Sequence, residues 1–412
     1  MSRPWEGVTR TRLENGIEVL LEPIPGVRSV AAGVWVRQGA AHEAPERMGG
    51  SHLLEHMVFK GTERRSAHDI ALSLESLGGS LDAYTTREST GFTARVLDRH
   101  LDEALDVLAD LVRRPLLRAE DLDLEREVVL EEIAMVDDTP DDLVFELHGE
   151  RLWAGHPYGH RILGTPDTVR AITADDLRAL HAEAYVGRRM IVCVAGHLDP
   201  DDVLARVRQL FGDVPAGCEA TPVPPAPRLV PGSERVSRPT QQCHVVIGTL
   251  GVPHGDVRRL PLVLLATALG GGMSSRLFQQ VREKLGLAYA VHTVQSFYRR
   301  AGFTGIYLGT RPESEGRAVQ AALDELRRAA EHGLPADELA RVREQVKGEV
   351  ILGMESTSGR LHRLAHYALH EEPYRTLDQV LERVDAVDAD AVVAAAAEFL
   401  PPERQVALSL GP

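Results

Sequence analysis

The chain repeats its own plan, and that repeat constrains its fold more than any other feature. One pass runs through GGSLDAYTTRESTGFTARVLDRHLDEALDVLADL and then RAEDLDLEREVVLEEI. The other runs through GLAYAVHTVQSFYRRAGFTGIYLGTRPESEGRAVQAALDEL and then PADELARVREQVKGEV. Each reads as helix, strand, turn, strand, long helix, short turn, helix, and alternating apolar residues from Thr90 to Leu97 and from Phe303 to Leu308 support the strands. The fold class expected is α+β: two homologous domains, each an antiparallel sheet with helices packed mainly on one face. A length of 412 residues suits two domains of ordinary size. Between them lies the proline-dense stretch VPAGCEATPVPPAPRLVPGSERVSRP. Proline supports neither helix interiors nor central strands, so an extended linker is expected over 215–239, between domains 1–214 and 240–412.

Composition narrows the class of function. Hydrophobic residues at 43% and charged residues at 26% are the balance of a soluble globular chain. The net charge of -15 argues against nucleic acid, which calls for clustered Lys and Arg. The most apolar stretch, Leu260 to Leu269, is far short of the ~20 residues of a membrane span, so no membrane association is expected. The N-terminal MSRPWEGVTRTRLENG has no apolar core of a secretory signal. Three widely spaced cysteines, Cys193, Cys218 and Cys243, form neither a disulfide framework nor a CxxC site. A reducing, cytoplasmic setting is expected. Cys243 and His244 are neighbours on a strand, where successive side chains point to opposite faces, and are read as structural.

Only one copy of the repeat carries chemistry. The first has SHLLEHMVFKGT where the second has LPLVLLATALGGG. A helix that accepts leucine and alanine throughout in one copy is a core helix. In the other it bears His52, Glu55 and His56 among Leu53, Leu54, Met57, Val58 and Phe59. Histidines four apart project from one helix face one turn apart, the spacing that places two imidazoles on one ion. Glu55 lies on the same side, within reach of a water at that ion. Polar groups converging on an apolar helix are costly unless something uses them.

A third ligand must come from elsewhere. On a helical wheel through Leu122 to Val136, Glu125 and Glu132 are seven apart and share a face with Val128, Val129 and Val136. Glu127 and Glu131 point to solvent. The wheel therefore selects Glu125 or Glu132 and does not choose between them.

HLLEHMVFKGT, LGGSLDAYTTRESTGF, EREVVLEEI, HPYGHRILGT and GGGMSSRLFQQVREKLGLAY together resemble the pitrilysin/insulinase family of zinc peptidases, in its shorter bacterial form related to mitochondrial processing peptidase. His52-Leu-Leu-Glu55-His56 is the inverted zincin motif H-x-x-E-H. The resemblance implies one Zn2+ per chain held by His52, His56 and Glu132, with Glu125 supporting them and Glu55 as general base. It implies a substrate-binding edge strand over Leu81–Thr86, where Asp82 replaces the family's frequent asparagine. It also implies that Arg282 and Tyr289, seven apart in REKLGLAY, contact substrate and its developing oxyanion. The bland readings of that pair are a helix-surface charge and a strand residue packed on the sheet.

The function implied is a metalloendopeptidase hydrolysing unfolded peptides or oligopeptides. A dedicated leader-processing peptidase is the enzymatic alternative, and a non-catalytic structural subunit of the same fold is the other. Because one chain holds both residue sets, a homodimer is expected, with a heterodimer of related chains as the alternative.

Overall fold

The computed structural model describes residues 7–412. The chain folds into two compact units. The first contains the described residues up to Ala134 together with His160–Val223 and Leu352–Thr376; the second contains Met135–Gly159, Pro224–Ile351 and Leu377–Pro412. The units are thus interleaved in sequence and depart from the contiguous halves expected.

In the first unit, β1 (Thr9–Arg12), β2 (Glu18–Pro23), β3 (Ser29–Val36), β4 (Ser80–Thr85), β5 (Thr90–Leu97) and β6 (Met190–Gly196) form a sheet ordered β1-β2-β6-β3-β5-β4. All neighbours are antiparallel except β2 and β6. The first three α-helices are α1 (Gly50–Val58), α2 (Ala67–Glu75) and α3 (Leu101–Arg113). The α3 sequence LDEALDVLADLVR places Leu101, Leu105, Leu108 and Leu111 on the buried side. Each such side chain contributes about 1.5–3 kcal/mol of transfer free energy.

The second unit follows the same plan. β7 (Gly232–Ser237), β8 (Cys243–Gly251), β9 (Ala288–Phe297), β10 (Gly302–Thr310) and β11 (Val406–Gly411) are ordered β7-β11-β8-β10-β9. Again one pair alone, β7 with β11, is parallel. The edge strand that the resemblance implied over Leu81–Thr86 is β4, one residue earlier at each end. The stretch 215–239 is not wholly a linker. Its proline-free run 232–238 retains its backbone donors, and β7 forms there as an edge strand.

The interleaving has a packing cause. Helices cover one face of each sheet, and a single helix covers part of the other face. In the first unit that helix is Thr357–Leu369, whose Leu361, Leu364 and Ala368 pack with Leu20, Trp35 and Ile191. In the second unit it is α5 (Pro140–Trp153), whose Leu143 and Val144 pack with Val246, Leu408 and Leu410. Central strands β3 and β6 are accordingly apolar on both faces. No helix among the described residues is long and apolar enough to cross a membrane. Among them Cys193 and Cys243 are buried, Cys218 is exposed, and all three are free thiols. His244 points to the Tyr307 hydroxyl at 2.9 Å.

Candidate metal centre

Helix α1 begins abruptly, and its start is built from outside the helix. Gly49 has φ 89°, and a Cβ there would lie 2.6 Å from the Leu163 carbonyl oxygen. With no side-chain cap of its own, the helix borrows Glu43, which accepts from the Gly49 N–H at 2.8 Å and the Ser51 N–H at 2.6 Å. Burial pushes the Glu43 carboxyl up to about 7, against the opposing effect of those hydrogen bonds.

Within the helix, His52 and His56 bring their rings to 4.7 Å between centroids, tilted at 60° to each other. Across from them runs α4 (Ala119–Asp137), which presents Glu125 and Glu132 from the buried side while Glu127 and Glu131 are exposed. The wheel erred on one residue: Val128 is 43% exposed, and the buried stripe is Leu122, Glu125, Val129 and Ile133.

The carboxylate oxygens of Glu132 lie 3.6 Å from His52 Nε2 and 3.7 Å from His56 Nε2. The three ligand-type atoms all fall within 4.8 Å of one another. A tetrahedral ion with ligands at about 2.1 Å separates them by about 3.4 Å, so this donor set fits zinc. Glu125 sits outside that triangle. Its Oε2 accepts from His56 Nδ1 at 3.1 Å, and its Oε1 meets Lys60 Nζ at 2.5 Å. Where the wheel left Glu125 and Glu132 equal, the two differ in space: Glu132 faces both Nε2 atoms, and Glu125 faces the far nitrogen of one ring. Burial, then the neighbouring His56, lowers the His52 pKa to about 4, so the ring is neutral near pH 7 with a lone pair to offer.

Glu55 is buried beside this set. Its Oε2 accepts from the Thr85 hydroxyl at 2.6 Å. Burial raises its pKa; the Thr85 hydrogen bond and His56 oppose the rise, and Glu132 adds to it. Thr85 pairs across the ladder with Thr90, which donates to the Gln38 carbonyl at 2.9 Å. Sequence reading missed Thr85, Glu43 and Lys60. The alternation Leu81, Ala83, Thr85 was a usable signal, because it places a hydroxyl on the face that meets α1.

In the second unit, Arg282 lies in a short π-helix, Phe278–Lys284, and Tyr289 stands near the start of edge strand β9. The Arg282 guanidinium is 4.6 Å from the Phe278 ring centroid and 5.1 Å from that of Tyr289. Tyr289 is 76% exposed, so it does not pack on the sheet.

A two-unit α+β chain, with an H-x-x-E-H helix and a facing glutamate in one unit only, has the architecture and donor set of an inverted zincin. Comparison with known proteins agrees. The insulinase (peptidase family M16) model matches residues 18–166, and the peptidase M16 inactive domain model matches residues 171–346. The chain belongs to peptidase family M16. It is 39% identical to an uncharacterized zinc protease of Streptomyces coelicolor over 95% of this chain and 87% of that relative. It is 37% identical to one of Bacillus subtilis over 97% and 98%. Among solved structures, a Pseudomonas fluorescens protein described as a peptidase M16 inactive domain superposes with TM-score 0.92 at 23% identity, covering 98% of each chain. A protease from Helicobacter pylori superposes with TM-score 0.90 at 21% identity, covering 98% of this chain and 99% of that one. At these identities the two structures speak to the fold.

Proposed function

We propose that the chain is a zinc metalloendopeptidase that hydrolyses unfolded peptides or oligopeptides. The observation that carries this reading is the convergence of His52 Nε2, His56 Nε2 and Glu132 on one point, beside a buried carboxylate held by only one of its oxygens. Zinc bound by the three residues would supply a Lewis acid and lower the pKa of an attacking water. Glu55 is the general base: Thr85 holds Oε2, leaving Oε1 to take the water's proton and return it to the leaving amine. Burial keeps the carboxyl's affinity for that proton above the usual range, which suits both transfers. An extended peptide adds to the free edge of β4, three residues before whose end stands Asp82.

The acting form is a homodimer in which Arg282 and Tyr289 of the partner subunit stabilise the substrate carbonyl and its oxyanion. The support is a half-buried arginine beside an exposed tyrosine, in a unit without metal-type residues at its matching helix. Replacing either residue should leave zinc and fold intact while lowering kcat/KM about 10²–10³-fold. Mixed Glu55→Gln and Arg282→Ala chains should recover activity once labelling shows subunit exchange. Exchange without recovery would remove the dimer from the proposal.

The test of the function itself is zinc content with cleavage of an unstructured peptide. About one zinc per chain and chelator-sensitive cleavage are expected. Cleavage that survives metal removal and Glu55→Gln would overturn it.

A further inference from the structure

We propose that Lys60 is a positioning residue for the metal centre, acting on His56 through Glu125. The inference rests on the zinc reading above and names a residue outside the motif's ligands and base. Glu125 is 6% exposed and carries two oxygens that must each find a partner or be left uncompensated in the interior. One accepts from His56 Nδ1 at 3.1 Å; the other meets Lys60 Nζ at 2.5 Å. A carboxylate only accepts hydrogen bonds, so the proton on His56 is fixed at Nδ1 and the lone pair at Nε2, the atom 3.7 Å from Glu132.

Without Lys60, the freed oxygen of Glu125 would have water as its substitute, and the carboxylate could rotate away from the ring. The lysine thus completes a line, Lys60 to Glu125 to His56, whose far end is a ligand nitrogen.

His52 supplies the internal contrast. Its Nδ1 is buried and has no hydrogen-bond partner among the described residues. Among the described residues, His56 is therefore the one of the two histidines whose far ring nitrogen has an outer partner. The geometry at Lys60 is itself anchored. Helix α1 ends at Val58, and the chain then turns, with the Lys60 N–H donating to the Met57 carbonyl at 3.2 Å. The Lys60 carbonyl accepts from Arg118 Nη2 at 3.2 Å, so side-chain replacement leaves that backbone contact in place.

The experiment measures zinc affinity by chelator competition, and the cobalt(II) absorption spectrum, for wild type, Lys60→Met, Lys60→Arg, Glu125→Gln and the Lys60→Met/Glu125→Gln double variant. Circular dichroism monitors the fold. Loss of an outer-shell partner typically weakens metal binding about 10–100-fold, and that is the expected effect of Lys60→Met. Lys60→Arg should restore most of it, since arginine also donates to a carboxylate. In the Glu125→Gln background, Lys60→Met should add less than about twofold, because the relay is already cut. A full additional loss in that background would show that Lys60 acts by another route and overturn the proposal. Unchanged zinc affinity in Lys60→Met, with tight wild-type binding, would overturn it alone. A wild-type chain that holds no zinc would overturn the metal reading and this inference together.

Discussion

Helix α1 and helix Arg259–Gly270 occupy matching places in two units of one plan: each follows the strand that opens the inner part of its sheet, and each packs against the edge strand, β4 or β9. In the second helix Leu262, Leu264, Leu265, Ala266, Ala268 and Leu269 are all buried. Packing beneath it leaves a void of only about 10 Å³, at the lower limit for one water. In the first, the same kind of position is given to His52, Glu55 and His56. The fold therefore does not need those polar groups. It tolerates them, and the cost of burying them is what marks the site.

The largest effect that can test this contrast comes from the ligands. His52→Ala or His56→Ala should empty the centre and abolish cleavage, making the first helix as inert as the second. Zinc retained at one per chain after either change, measured by atomic absorption, would mean the set is misassigned.

Next come the three glutamates, which separate roles within the site. Under the proposed function, Glu55→Gln should keep zinc and lose about 10²–10⁴ in kcat, because the base would contact the water and not the ion. Glu132→Gln should weaken zinc retention itself. Glu131→Gln should do almost nothing, since that side chain is exposed. Equal damage at 131 and 132 would put α4 in the wrong rotation.

How far the sequence carried these assignments depends on range. The H-x-x-E-H spacing and the period-2 strands are local, and both were legible. So was the repeat, down to which copy carries His52, Glu55 and His56. The interleaving was not, because nothing within α5 or Thr357–Leu369 says which sheet either helix covers. Thr85 and Lys60 were missed for the same reason: their meaning lies in Glu55, 30 residues away, and Glu125, 65 residues away. Strand β7 hid inside a proline-rich stretch, where only the seven-residue gap from Pro231 to Pro239 betrayed it.

If the polar residues of α1 are tolerated rather than needed, removing one should strengthen the metal-free fold. His52 is the cleanest choice, with Nδ1 buried and unpartnered among the described residues. His52→Leu gives α1 a residue of the kind the second helix uses. In excess chelator it should raise stability by about 2 kcal/mol, the cost of an unsatisfied buried donor. A denaturant midpoint that falls instead would show that His52 holds the fold together, and the contrast between the helices would lose its basis.

The smallest effect concerns pH, and it tests whether the second unit has a buried histidine of a purely structural kind. His148 on α5 donates from Nε2 to the Val406 carbonyl at 3.0 Å. Burial lowers its pKa from 6.5 to about 4, with the hydrogen bond to Val406 working the other way. The folded state therefore favours the neutral ring. Its contribution to stability is fully present above pH 6.5 and is lost as the pH falls toward 4, because the unfolded chain takes up the proton first. At pH 6 the loss is already about 1 kcal/mol. Glu43 in the first unit has the opposite sign: a carboxyl raised to about 7 favours the fold at low pH and loses that contribution as the pH rises through 7. His52 and His181, both lowered by burial, share the sign of His148 and blur the total. The informative quantity is accordingly the difference between wild type and His148→Gln, since glutamine can keep the donor to Val406 and does not titrate. Between pH 7 and pH 6 the wild-type melting temperature should fall more steeply than that of the variant. Parallel slopes would mean that His148 takes up its proton as readily in the fold as in the unfolded chain, and that α5 sits on its sheet less tightly than the buried ring implies.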